Sequence, residues 1–178
     1  MKFLTLSQKQ IKNSAIYNSI KEKHVVISIT SAEDEEITIP FNTHRVSQLY
    51  LKFDDVQDID SRYIYFDRSM ANQILEFVEK YINSVSLIIV QCQAGLSRSV
   101  AIAAALSKII NYTDDNIYTK GIPNMFVYTT LLDELFGNRY WSQQYPRIYK
   151  QRNSSMAYFL TPATIRLNAA VQQDRLKD

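Results

Sequence analysis

Glycine and cysteine are scarce in this sequence, three and one among 178 residues. A lone cysteine excludes an internal disulfide and a multi-cysteine zinc site, and makes a reducing compartment the expected one. Average usage would put about a dozen glycines in this length, so Gly95, Gly121 and Gly137 are each expected where little else fits. Long hydrophobic runs are missing too, none approaching the roughly 20 residues that span a bilayer. The opening MKFLTLSQKQIKNS turns polar after Leu6, before a signal-peptide apolar region develops. No sign of charge dominates either: the formal net charge is +2, too small to imply a nucleic-acid or membrane partner. The expectation is a cytoplasmic protein with neither partner and no resident cofactor.

What is present suits a globular domain. Hydrophobic residues at 46% and charged residues at 21% exclude wholesale disorder and collagen-like repeats. The length suits one domain able to bury its own core, and no Pro, Gly or Ser-rich linker divides it. Residues 3–6 suit a short strand, and Ser7 suits an N-cap for a helix with Ile11, Ala15, Ile16 and Ile20 on one face. HVVISIT, residues 24–30, is β-branched and reads as a buried strand. Leu49, Leu51 and Phe53 recur at strand period, ending at Asp54-Asp55. Met70, Ile74, Leu75, Val78, Tyr81 and Ile82 give an amphipathic helix over about residues 68–83. Residues 87–90 form a short apolar run typical of a central parallel strand. RSVAIAAALSKII is apolar almost all round, hence a buried helix. A further helix is expected from Pro123, in its first turn, to Phe136, with Gly137 capping it. Strands alternating with helices predict a three-layer α/β/α domain on a mostly parallel sheet.

From Asn138 the pattern weakens. Residues 137–178 hold seven Lys and Arg against two Asp, so the rest is slightly acidic. Arg139, Arg147, Lys150, Arg152, Arg166, Arg175 and Lys177 lie among Tyr140, Trp141, Tyr145, Tyr149, Tyr158 and Phe159. Basic residues among aromatics can bind nucleic acid, but these are spread without a motif and favour a solvated surface with aromatic anchors. Thr161-Pro162 suits the start of a short terminal helix. The division expected is residues 1–137 as the functional domain and 138–178 as an extension packed on it.

The chemistry concentrates in IVQCQAGLSRS, residues 89–99. A buried strand feeds a turn that opens directly into a helix. Inward amides and the positive helix end make such a turn an anion cradle, built here from Gln93, Ala94, Gly95, Leu96, Ser97 and Arg98. Gly95 permits a positive φ, and Arg98 supplies a planar fork for two phosphate oxygens. Cys92 at the mouth feels both fields, which favour its thiolate. A thiolate beneath a bound phosphate can take the phosphoryl group and yield it to water; Ser99 is placed to hydrogen-bond the sulfur as it departs. A lone cysteine at a strand end is ordinarily a small hydrophobe, but that leaves Gly, Arg and Ser at fixed offsets without a cause.

CQAGLSRS resembles the C-x5-R-[ST] signature of the cysteine-dependent protein tyrosine phosphatases. Its C-x-x-G-x-S-R-S form is that of dual-specificity phosphatases, most similar to the compact single-domain members of bacteria and phages. Residues 49–55 look like the family's strand ending in a general-acid loop, and Pro123-Asn124 looks like the "PN" that opens a late helix. The likeness covers roughly residues 25–136. It implies metal-independent hydrolysis of phosphomonoesters through a phosphocysteine intermediate, with Cys92, Arg98 and Ser99 in the roles above. The acid that protonates the leaving oxygen would be an aspartate upstream of the cysteine. Asp55 matches best, with Asp54 the runner-up and Asp58 and Asp60 behind.

One position departs from the family. Histidine normally precedes the cysteine, and Gln91 stands here. Glutamine can hydrogen-bond but carries no charge, which predicts a thiol that ionises less readily and a slower turnover. Iodoacetamide alkylation of Cys92 followed against pH, in wild type and Gln91→His, checks this; superimposable profiles would refute it. The alternative this opens is a binding module that holds phosphorylated ligands and hardly hydrolyses them. His24 and His44, with one cysteine, give no metal-ligand spacing and are expected to be structural or exposed. Phosphoinositide phosphatases of this superfamily tend to carry lysines at the variable turn positions, and Gln93, Ala94, Leu96 and Ser97 are uncharged. The resemblance therefore implies a phosphoprotein substrate, phosphotyrosine with phosphoserine and phosphothreonine beside it. Tyr63, Tyr65 and Phe66 are candidates for a wall of the slot, though core or loop anchoring suits at least two of them.

Overall fold

A seven-residue run rich in Val and Ile decides the centre of the sheet. His24–Thr30 forms β2 with all seven side chains buried, as a parallel strand covered on both faces requires. The computed structural model describes residues 1–57, 59, 61–118 and 120–136. Asp58, Asp60, the proposed Gly137 cap and the whole extension 138–178, with its terminal helix, lie outside the described residues. The elements are β1 (Lys2–Ser7), α1 (Gln8–Lys12), α2 (Ser14–Asn18), β2, β3 (Arg45–Lys52), α3 (Arg68–Tyr81), β4 (Leu87–Cys92), α4 (Arg98–Asn111), α5 (Asp115–Tyr118) and α6 (Met125–Phe136).

The strands are ordered β1-β4-β2-β3, and every pairing is parallel. Alternation sends Ile88, Val90 and Cys92 of β4 into one core with Val25, Ile27 and Ile29, beneath α3, α4 and α6. Leu87 and Ile89 face the other side, with Val26, Leu6, Ile11, Tyr17, Ile37 and Ile39. The sandwich is therefore the expected α/β/α arrangement. Among the described residues no helix is long and apolar enough to cross a membrane.

Two expectations need correction. The helix after β1 is broken in two, because the Asn13 side chain accepts from Ala15 N–H and Ile16 N–H and caps a second helix. That restart rotates the buried face: Tyr17 is fully buried, whereas Ala15 and Ile16 are exposed. Ser7 does cap α1, in a reciprocal box with Gln10. The late helix starts at Met125 rather than Pro123. Asn124 takes the cap, its Oδ1 accepting from Val127 N–H at 3.1 Å, and Pro123 falls just outside.

His24 is buried at the start of β2. Its Nδ1–H donates to the Glu22 carbonyl at 2.8 Å, which leaves Nε2 to accept from the Tyr17 hydroxyl at 2.9 Å. Burial is the main cause holding this ring below its ordinary value of 6.5. As pH falls below that value, the unfolded chain binds a proton that the native chain does not. Stability is therefore present above it and is lost on acidification, until the native ring also titrates. Thermal unfolding should show Tm dropping from pH 6.5 to about 5. His24→Gln should flatten that segment, and parallel wild-type and variant profiles would remove His24 as the cause.

Candidate active site

Cys92 ends β4, and the register sets it beside Ser7 at the end of β1. The chain then turns through residues 93–97 into α4. Gln93 O accepts from Gln8 N–H at 3.2 Å, and Ser97 O accepts from Ala101 N–H at 2.9 Å and Asn124 N–H at 3.4 Å. The turn is thus held from three elements. Gly95 has φ +74, and a Cβ there would lie 2.6 Å from Ser7 N and 2.8 Å from Leu6 C. Both obstacles are backbone of a paired strand. Gly95→Ala should cost about 2 kcal/mol or more, from the left-handed conformation and the clash together. A thermal melt of the full chain measures it; a Tm within about a degree of wild type would refute the constraint.

A turn amide and a hydroxyl of α4 converge on the cysteine sulfur. Gly95 N–H points at Cys92 Sγ from 3.3 Å, and Ser99 Oγ hydrogen-bonds with the same sulfur at 3.2 Å. Sγ belongs to a residue only 1% exposed. Arg98, the first residue of α4, is also buried, its Nη1–H donating to Phe53 O at 2.6 Å and Ser31 Oγ at 3.3 Å. Arg98 Nε is buried without a hydrogen-bond acceptor, its nearest ion-pair contact being Asp55 Oδ2 at 3.9 Å. A buried charged donor in that state is suited to an oxyanion. Ser97 is the N-cap of α4 but makes no side-chain cap bond. Its hydroxyl donates to Asp55 Oδ1 at 2.9 Å instead, so α4 keeps its first amides uncovered by that side chain.

The two neighbouring aspartates have different surroundings. Asp54 accepts from Ala32 N–H at 3.1 Å and Ile64 N–H at 3.0 Å, so both its oxygens are spent fastening the loop. Asp55 leans over the turn, accepting from Ser97 and from Asn124 Nδ2–H at 2.7 Å. Asn124 also donates to Val56 O at 2.9 Å, and so ties α6, the acid loop and the turn together. The sequence reading placed Asn124 at a helix start but missed this role; its neighbour Gly121 was the available signal. Gly121 does not serve a positive φ; a Cβ there would collide with the Leu96 backbone. Close approach to the Leu96 backbone is what that glycine allows.

Gln91 faces away from Cys92, on the opposite side of the sheet. Its Nε2 donates to Ser28 Oγ at 2.6 Å and Ile29 O at 3.3 Å, while Oε1 is buried without a partner. Its hydrogen bonds therefore go to β2. Phe66 is buried on Phe53, and Tyr65 packs edge-on against Phe126. These two are anchors, whereas Tyr63 is exposed.

The sequence matches no protein-family model, and no curated protein matches it. Solved structures do. Human DUSP28 superposes with a TM-score of 0.52 at 14% identity, over 74% of this chain and 90% of that one. The human tyrosine phosphatase-like serine/threonine/tyrosine-interacting protein gives 0.54 at 17% identity, over 83% of this chain and 93% of that one. The fold is that of the dual-specificity and tyrosine phosphatases.

Proposed function

We propose that this chain, built on the dual-specificity phosphatase fold, is a cytoplasmic protein phosphatase that works through a phosphocysteine. Phosphotyrosine is its first substrate class, with phosphoserine and phosphothreonine beside it. The observation that carries the reading is the convergence on Cys92 Sγ of Gly95 N–H and Ser99 Oγ, with Asp55 bonded to Ser97 of the same turn and paired with Arg98. In the first step the Cys92 thiolate attacks phosphorus and the bond to the leaving oxygen breaks. Arg98 and the turn residues 93–97 hold the phosphoryl oxygens, and Asp55 gives its proton to the leaving group. In the second step Asp55 takes a proton from water, the water oxygen attacks phosphorus, and the S–P bond breaks. The Ser99 hydroxyl stabilises the departing thiolate, and inorganic phosphate leaves.

The test is p-nitrophenyl phosphate hydrolysis by the full chain in EDTA, with acid-quenched phosphoenzyme mapped by mass spectrometry. Phosphate release and a phosphoryl group on Cys92 support the reading. A second reading, a phospho-ligand-binding module, is favoured by Gln91, whose hydrogen bonds go to β2. It also suits the interaction named in the second human relative. Vanadate-sensitive phosphopeptide binding without any release of phosphate would select it.

A further inference from the structure

Exposed large hydrophobic side chains are expensive, and here they cluster. Nine are described as exposed, and five of them, Ile59, Tyr63, Ile64, Leu96 and Ile122, belong to the segments around the cradle. Ile122 is 84% exposed and Leu96 53%. The backbone brings these two together: Gly121 sits against Leu96, within 3.0 Å of its Cα for a built Cβ, and Ile122 follows at once. Across the mouth, Ile64 exchanges hydrogen bonds with Asp54 through both its N–H and its carbonyl. It is thereby fixed one residue from Asp55, which is itself bonded to Ser97. Apolar side chains thus stand on the acid-loop side of the cradle and on its Leu96 side.

Resting on the phosphatase reading, we infer that this rim selects phosphopeptides with apolar side chains flanking the phosphoresidue. A peptide whose phosphate lies on Cys92 must pass over the rim on both sides, and each apolar flank removes exposed area from water. Leu96 acts from within the cradle, and Ile122, Ile59, Tyr63 and Ile64 from outside it. Two cations border the same surface: Arg62 stacks over the Tyr63 ring at 5.7 Å, and Lys120 precedes Gly121. Both would welcome an acidic flank, which makes an acidic-flanked peptide the proper comparison. An anionic bilayer is the competing occupant of an apolar surface. Such a bilayer recruits clusters of four or more cations, more than the pair Arg62 and Lys120 supplies.

The experiment compares kcat/KM of the full chain on two phosphotyrosine peptides, one with Leu and Ile at the flanking positions, the other with Asp and Glu. Phosphatidylinositol phosphate in phosphatidylcholine vesicles is the third substrate. Each rate is divided by that variant's own rate on p-nitrophenyl phosphate, which has no flanks. Wild type should favour the apolar peptide by about tenfold, Ile122→Ser should bring the ratio to about twofold through KM, and Ile122→Leu should restore it. Equal or reversed peptide preference, with p-nitrophenyl phosphate still hydrolysed, would overturn the inference alone. So would an Ile122→Ser effect confined to the vesicle substrate. No p-nitrophenyl phosphate hydrolysis at all would overturn the phosphatase reading and the inference with it.

Discussion

Cys92→Ser should lower the rate of p-nitrophenyl phosphate hydrolysis by about ten-thousandfold or more, while phosphopeptide binding changes by no more than about threefold. The two halves have separate physical causes. The serine hydroxyl is a far weaker acid than a thiol and has no base to take its proton. No histidine is hydrogen-bonded to residue 92; the nearest side-chain partner is the Ser99 hydroxyl. Attack on phosphorus is therefore lost. Binding is different, because in the proposed mechanism phosphate is held by the charge of Arg98 and the turn's amides, which the substitution leaves in place. Oxygen for sulfur also removes volume from a side chain that is 1% exposed, a small change for the core. Stopped-assay phosphate release measures the first half, and fluorescence anisotropy of a labelled phosphopeptide the second. A variant retaining a tenth of the wild-type rate would remove Cys92 as the nucleophile. Weakened binding with an unchanged melting curve would show that the serine disturbs the groups that hold the phosphate.

Legibility in the sequence followed the range of the interactions. HVVISIT was readable as β2 because burial on both faces favours a Val- and Ile-rich, β-branched run. The cradle was readable for a similar reason. Cys92, Gly95, Arg98 and Ser99 lie within eight consecutive residues, and their spacing nearly determines how the turn closes on the sulfur. Choosing between Asp54 and Asp55 was another matter. Asp54 is occupied by Ala32 and Ile64, residues that mean nothing to it until the sheet has formed. Asp55 is engaged by Asn124 across 69 positions of sequence. Gly121 shows the same limit: its scarcity was visible, but the Leu96 backbone that forbids a side chain there was not. The break between α1 and α2 failed for a local reason. Apolar periodicity outweighed Asn13, although its side chain restarts the helix and turns Tyr17 inward.

Those surroundings make the second large effect specific to one aspartate. Asp55→Asn should lower kcat on a phosphotyrosine peptide by about a hundredfold to a thousandfold, with a much smaller loss on p-nitrophenyl phosphate. The asparagine carbonyl can still accept from Ser97 and Asn124, so the loop keeps its position and only the transferable proton is lost. A p-nitrophenolate leaves readily without protonation, whereas the much more basic phenolate oxygen of a tyrosine needs it, so the two substrates separate chemistry from damage. The acid must be protonated to act, and wild-type rates should therefore fall on the alkaline side; Asp55→Asn should lose that limb. Asp54→Asn gives the contrasting signature. Its amide cannot accept from both Ala32 N–H and Ile64 N–H, which leaves one donor short and costs about 1–3 kcal/mol of stability. The alkaline limb should survive in that variant, along with the ratio between the two substrates. If the limb instead persists in Asp55→Asn and vanishes in Asp54→Asn, the proton comes from Asp54, and the contact of Asp55 with Ser97 only holds the loop against the cradle.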